Sequence, residues 1–348
     1  MTKRRAIPAA LGGPARDAMT PNAIGSGRPG GIPVARGSDF RAIALYAFAA
    51  LVVRLLPPSR WAQATRWPRL VTDSRARRLT ERYGRYRAGY LAVNGRQRPE
   101  EEIRALFNQY VSRGMRSTTL SAAAFRRRHG WDPTITLVGR EHFDRAAARG
   151  RGVILWFDHF TLSSFVGKRA IAEAGIDMWY VSAYSHGFSA PSRLSASFLS
   201  WRAIEVELRY IAGRIVFPDG PAVAQTRRVV EILDRNGVVG IFNNAVLGKT
   251  IAVPFAGGAR LRLASTPLRL AATKGVALLP VAVIETEPFA SYKVRIAPAL
   301  TPAPGETADP VAALAASYAR YLLPVVKAHP DQWNWADLRV PAGEAGAP

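Results

Sequence analysis

From residue 134 onward, short apolar runs alternate with longer stretches of helical periodicity, and this alternation constrains the fold more than any single motif. Strands are expected at 134–138, 152–157, 177–183, 237–242, 276–285 and 292–297. Helices are expected at 141–149, 161–174, 191–202, 223–235, 265–274 and 310–328. Strands separated by helices of this length fit an α/β fold: a mixed, mostly parallel, seven-strand-like sheet flanked by helices.

Ahead of that region the composition changes twice. Residues 1–38 carry twelve Gly or Pro, six Lys or Arg and one acid, Asp17, and lack apolar periodicity. They read as a flexible basic arm, with no apolar core of signal-peptide type behind the charged start. Ser38 and Asp39 then suit a helix cap. The uncharged run behind them, Ala42 to Val53, is only twelve residues, where a membrane span needs about 20. Arg41 and Arg54 flank it, and Pro57-Pro58 stop it. Residues 39–72 therefore read as an amphipathic, membrane-associating helical region lying in the interface, with a short single span as the alternative. Trp61 and Trp67, interleaved with Arg60, Arg66 and Arg69, suit a headgroup-level belt or a surface helix face. Residues 73–339 form the main domain, its first part helical and basic up to 128, and 340–348 a loose tail.

At 348 residues with ordinary apolar content, the chain can bury a sizeable core. It has no cysteine, which removes disulfides, thiolate metal sites and a cysteine nucleophile. Its five histidines are scattered, none at metal-ligand spacing, so no metal site and no redox cofactor are expected. The net charge of +23 is carried almost wholly by arginine. Such a charge suits an anionic membrane surface or an acidic carrier protein. No RRM pattern or helix-turn-helix supports a nucleic-acid partner.

The strand at 152–157 runs into Asp158 and His159, and the Thr161-Leu162-Ser163-Ser164 segment behind them reads as a helix start. A histidine there sits at the carboxyl end of a strand, where open α/β sheets bind ligands. Titrating near neutrality, a histidine can take a proton from a hydroxyl. The chain carries no Gly-x-Ser-x-Gly elbow, no P-loop and no dinucleotide glycine fingerprint. Phe217-Pro218-Asp219-Gly220 reads as a turn.

Several blocks then fall in order: Leu137-Val138-Gly139-Arg140-Glu141-His142, the strand ending at His159, Val253-Pro254-Phe255-Ala256-Gly257, a small-residue helix leading to Pro280-Val281, and Gln332-Trp333-Asn334-Trp335. From about residue 40 to 339 this order resembles the bacterial lipid A lauroyl/myristoyl acyltransferases of the glycerolipid acyltransferase superfamily. The resemblance implies a membrane-associated O-acyltransferase on the cytoplasmic face of the bacterial inner membrane, peripheral or monotopic. It would move a fatty acyl group from an acyl carrier protein or CoA thioester to a hydroxyl of a lipid or saccharolipid, with His159 as general base and no cofactor beyond the donor substrate.

Three positions depart from the family pattern. The acid that normally follows the histidine after four intervening residues is Ser164 here. A serine can accept a hydrogen bond from the ring but cannot supply the charge that stabilises imidazolium. The family's Tyr-Arg-Pro is matched only by Tyr184-Ser185, and its Asp-Gln is replaced by Asn243-Asn244. Asp158 adjoins the histidine, yet strand neighbours point to opposite faces, which makes it a poor direct substitute. Asp219, Glu205 or Glu231 can bring a carboxylate from elsewhere, or the chain is an altered member that binds lipid or acyl groups without turnover. Arg193 and Arg202 are candidates for binding a phosphate or polarising the thioester carbonyl. Arg260 and Arg262, alternating with Leu261 and Leu263, fall on one face of an extended segment that suits an anionic headgroup. Asn243 and Asn244 complete the candidate substrate contacts. Lys168 and Arg169 read as a solvated helix face, and Trp333 and Trp335 as packing anchors.

Overall fold

The computed structural model describes residues 33–66, 76–95, 98–125, 131–160, 163–183, 192–217, 222–243, 249–302 and 309–341. Most of the basic arm, Trp67, Arg69, Tyr184, Ser185, Asp219, Asn244, the tail beyond 341 and the side chain of Ser164 lie outside the described residues.

The main sheet contains β1 (Thr134–Val138), β2 (Val153–Phe157), β3 (Met178–Ala183), β4 (Gly213–Phe217), β5 (Val238–Phe242), β8 (Ala277–Glu287) and β9 (Ser291–Ile296). Its spatial order is β1-β9-β8-β2-β5-β3-β4. The five neighbours from β8 to β4 are mutually parallel. Only the β8–β9 hairpin is antiparallel, so β1, which pairs parallel to β9, runs opposite to the central strands. The sheet is thus mixed and mostly parallel, as the alternation of elements implies. β4 was not anticipated: its Gly213-Arg214-Ile215-Val216-Phe217 lacks full burial because it is an edge strand. A second sheet of β6 (Thr250–Pro254), β7 (Arg260–Ala264) and β10 (Leu338–Arg339) is antiparallel, in the order β10-β7-β6.

β2 is the central strand, and every one of its residues is buried. Period-2 alternation divides them between two cores. Val153, Leu155 and Phe157 pack on one face with α1 (Gly37–Leu55) and α4 (Glu100–Phe125). Ile154 and Trp156 pack on the other with α8 (Val223–Asp234), α9 (Ser265–Lys274) and α10 (Pro310–Ala328). Two glycines allow this close fit. Gly152 has φ +75, and a Cβ there would sit 2.6 Å from the Leu233 carbonyl. Gly167, on α6 (Ser163–Glu173), lets the helix after His159 lie against Phe157, whose ring a Cβ would meet at 2.7 Å.

Among the described residues no helix is long and apolar enough to cross a membrane. α1 is entered through Asp39, whose carboxylate accepts from the Arg36 N–H at 2.6 Å. One face of α1, carrying Tyr46, Ala49, Val52 and Val53, joins the core. Phe40, Leu51 and Leu55 are exposed on another, flanked by Arg41 and Arg54. Trp61, on α2 (Pro58–Ala64), does not form part of a headgroup belt. It is 2% exposed, packs edge-on against Phe289 and donates from Nε1 to the Leu56 carbonyl. The indole needs a burial site with one acceptor, and the end of α1 provides it.

The expected helix at 191–202 is an irregular one: Arg193–Ser195, a π turn at Ala196–Ser200, then α7 (Trp201–Glu207). The basic region before β1 folds as α3 (Ala76–Asn94) and α4, with α5 (Arg140–Ala147) between β1 and β2.

Candidate functional site

β2 ends at Phe157, and alternation continues one residue beyond it. Asp158 turns to the side occupied by Ile154 and Trp156, into the core below α10. α10 starts from Asp309, whose Oδ1 accepts from the N–H groups of Val311 and Ala312. It presents Tyr318 and Tyr321, one turn apart, toward Asp158. Tyr318 donates to Oδ1 at 2.5 Å and Tyr321 to Oδ2 at 3.0 Å. Asn243, the first residue after β5, donates to the Tyr318 oxygen at 3.0 Å. Burial pushes the Asp158 carboxyl up to about 7, against the opposing pull of the two phenol donors. Asp158 therefore belongs to a buried network below the strand end and does not contact the His159 ring.

His159 lies at the surface of the same edge. Its side chain is 35% exposed, and its ring stands edge-on to Phe242 at the end of β5. The groups around its nitrogens come from the far end of the chain. The Asn334 Nδ2 lies 2.8 Å from Nδ1 and 3.3 Å from Nε2. The Asn334 Oδ1 already accepts from the Ala336 N–H, which fixes the amide with its NH₂ toward the imidazole. Asp337 Oδ2 lies 3.6 Å from Nδ1, with its side chain 13% exposed.

Alternation explains how this segment is held. Gln332 takes the place of a strand partner on β8: its Oε1 accepts from the Glu285 N–H and its Nε2 donates to the Glu285 carbonyl, both at 2.9 Å. Trp333 stacks on Phe255, and Trp335 donates to the Pro330 carbonyl and packs edge-on against Tyr86. Gly89 of α3 makes room for it, since a Cβ there would lie 2.6 Å from the Trp335 ring. With the two tryptophans anchored, Asn334 between them faces the histidine. Its backbone N–H donates to the His159 carbonyl at 2.9 Å, and Phe160 forms a bridge with Trp333. Asp337 ends a single 3₁₀ turn, Trp335–Asp337, capped by Asn334.

The remaining candidates are placed elsewhere. Arg202 is a packing residue: its guanidinium lies 3.9 Å over the Phe198 ring, beside Tyr46, Phe125 and Trp201, and donates to the Phe198 carbonyl. Arg193 is exposed and its backbone N–H donates to the Pro33 carbonyl. Arg260 donates to the Ala252 carbonyl across the small sheet. Arg262 shares that face, half-buried, while Leu261 and Leu263 are fully buried beneath. None of these contacts involves His159, Asn334 or Asp337. Lys168 is not solvated: it is fully buried, 2.9 Å from Glu207 and 3.4 Å above the Tyr180 ring, and burial lowers it to about 8. Glu205 pairs with Arg209 and Glu231 with Arg228. Among the described residues no cluster of His, Asp and Glu suits a metal ion. A cleft lined by Arg82, Arg85, Tyr110 and Arg339 opens behind Trp335 and does not include His159.

Asn334, Asp337, Tyr318 and Tyr321 were not among the residues singled out from sequence. The usable signal was a polar residue between two tryptophans near the carboxyl end, because alternation there must send Asn334 away from the tryptophan anchors.

One family model, described as bacterial lipid A biosynthesis acyltransferase, matches residues 40–339, most of the chain, from within α1 through β10. No curated protein matches it.

Proposed function

The chain belongs to the bacterial lipid A biosynthesis acyltransferases, and on that premise we propose that His159 is the general base of an acyl transfer at the carboxyl edge of β2. The observation that carries this reading is the position of one partly exposed imidazole beyond the central strand, held by polar groups from the Gln332–Asp337 segment.

The chemistry follows from that placement. An acceptor hydroxyl on a lipid or saccharolipid gives its proton to a ring nitrogen as its oxygen attacks the carbonyl of an acyl carrier protein or CoA thioester. The tetrahedral intermediate collapses to an ester. The C–S bond breaks, and the imidazolium returns the proton to the departing thiolate. Every atom is accounted for by the two substrates, with the acyl thioester as donor.

The membrane is the second part of the reading. The exposed Phe40, Leu51 and Leu55 on α1, with Arg41 and Arg54 beside them, suit a helix face lying at an anionic leaflet. The net charge of +23 adds a long-range attraction for that surface and for an acidic carrier.

Purified chain incubated with lauroyl-acyl carrier protein and a lipid A precursor should release free carrier thiol and form the ester. His159→Ala should abolish release; unchanged release in that variant would rule out the general-base role. The serine at 164 favours one alternative, a family member that binds acyl groups or lipid without turnover. Stoichiometric lipid binding with no thiol release would select it.

A further inference from the structure

The charge that the family pattern puts five residues after the histidine is missing, and a carboxylate from the opposite end of the chain stands in reach. Position 164 is serine. Of the acids nearest in sequence or suggested by it, Asp158 is committed to Tyr318 and Tyr321 below the strand, Glu205 pairs with Arg209 and Glu231 with Arg228. Asp337 is different. Its Oδ2 lies 3.6 Å from His159 Nδ1, its side chain is largely shielded at 13% exposure, and among the described residues no Lys or Arg lies within ion-pair distance of it. Among the described residues, the imidazole is thus the only cationic partner that its carboxylate faces.

We propose that Asp337 is a positioning residue for His159, supplying from the C-terminal 3₁₀ turn the negative charge that the serine at 164 does not. The inference rests on His159 being the base. The Asn334 amide lies nearer Nδ1 (2.8 Å) than Nε2 (3.3 Å), and when it donates to Nδ1 the proton of a neutral ring is left on Nε2. For Nε2 to accept the substrate proton, the ring proton must sit on Nδ1 instead, and an acceptor must face it there. Asn334 Nδ2 cannot serve; Asp337 Oδ2 can. A charge-assisted N–H···O bond needs about 2.7–2.9 Å, so the carboxylate is under about 1 Å short of it, a gap that a small side-chain rotation closes. Catalytic hydrogen bonds are commonly long until the reacting complex forms. Asn334 and Asp337 thus offer the ring two states, one with Nδ1 as acceptor and one with Nδ1 as donor, and only the second is a base at Nε2.

The geometry also explains why the acid can come from so far along the chain. Gln332 clamps the segment to β8, and Trp333 and Trp335 are buried on either side of Asn334. The turn carrying Asp337 is therefore fixed relative to β2 by packing on two elements, which is what a positioning carboxylate requires.

The test uses the full chain, lauroyl-acyl carrier protein and a lipid A precursor, with kcat and KM from thiol release and Tm recorded for each variant. Asp337→Asn should lower kcat by roughly 10²–10⁴-fold, the scale of removing the acid behind a catalytic histidine, with KM changed less than about threefold. Asp337→Glu should retain more activity than Asp337→Asn. Adding Ser164→Glu to Asp337→Asn should recover at least about tenfold, by returning a carboxylate to the family position. If His159→Ala abolishes turnover while Asp337→Asn stays within about threefold of the parent, the inference fails and the base reading stands. If His159→Ala retains full activity, both fail. A kcat loss in Asp337→Asn that comes with a large fall in Tm, and that neither Asp337→Glu nor Ser164→Glu relieves, makes Asp337 a structural residue and overturns the proposal.

Discussion

Asn334 Nδ2 lies 2.8 Å from His159 Nδ1, although 175 residues separate the two in sequence. The same residue donates its backbone N–H to the His159 carbonyl and caps the following 3₁₀ turn through Oδ1. Its side chain therefore has one free role, holding the imidazole. Because that amide favours the ring state in which Nδ1 accepts, Asn334→Ala should leave kcat within about threefold of the parent or raise it, while costing about 0.5–2 kcal/mol from the lost cap. Steady-state kinetics together with urea denaturation separate the two effects.

Asp158 gives a pH dependence whose sign can be worked out. Burial raises its carboxyl in the folded chain to about 7, above the ordinary value of 3.8. The folded state thus holds a proton that the unfolded chain has already lost between these limits. The stabilising effect of that proton is full below about pH 4 and is lost as pH rises through about 7. Between pH 5 and 8 the stability drop should be about 2–3 kcal/mol, and Asp158→Asn should flatten it. Urea midpoints at several pH values check this; an equal slope in both proteins would remove Asp158 as the cause.

Tyr318 donates to Asp158 while accepting from Asn243, so removing its hydroxyl leaves a buried donor and a buried acceptor each short of a partner. Tyr318→Phe should destabilise by about 1–3 kcal/mol. Tyr321→Phe removes one donor only and should cost less. Thermal unfolding of the two variants at one pH ranks them.

Gly89 and Trp335 are a packing pair across α3, with a Cβ at 89 falling 2.6 Å from the indole. Gly89→Leu should displace the indole and move Asn334 and Asp337 with it. Overpacking of this kind costs about 1–3 kcal/mol, and the activity loss should exceed what that stability change explains. Hydrogen exchange across residues 332–338 should rise in the variant and stay at parental levels in β2.

The exposed face of α1 predicts vesicle binding. Leu51→Asp with Leu55→Asp should reduce co-sedimentation with anionic vesicles by at least about tenfold, with little change in Tm because both side chains are already exposed. Unaltered sedimentation would leave the arginines alone to account for attachment.

How much of this was legible in the sequence depended on the range of the interactions. β2 and β5 were readable because a strand covered on both faces must be apolar throughout, and α9 and α10 because their caps and periodicity are local. β4 was missed for the converse reason, since an edge strand is under weaker pressure to be apolar. Lys168 was read as solvated because its pairing with Glu207 comes from another helix, and no local pattern announces such a partner. At the site, His159 was visible from its place after an apolar strand. Asn334 and Asp337 were not, because their relation to it exists only once the C-terminal segment has crossed the strand ends. Trp333 and Trp335 were read as anchors, but what they anchor was hidden between and behind them.

The clamp of Gln332 on β8 has a consequence for how the chain comes into being. The histidine leaves the ribosome far ahead of the residues that orient it. At about 5–20 residues per second, the 175-residue interval amounts to roughly ten to thirty-five seconds. Throughout that time the nascent chain holds an imidazole with neither its amide nor its carboxylate. On the proposed mechanism, the site around His159 is completed only when the Trp335–Asp337 turn docks.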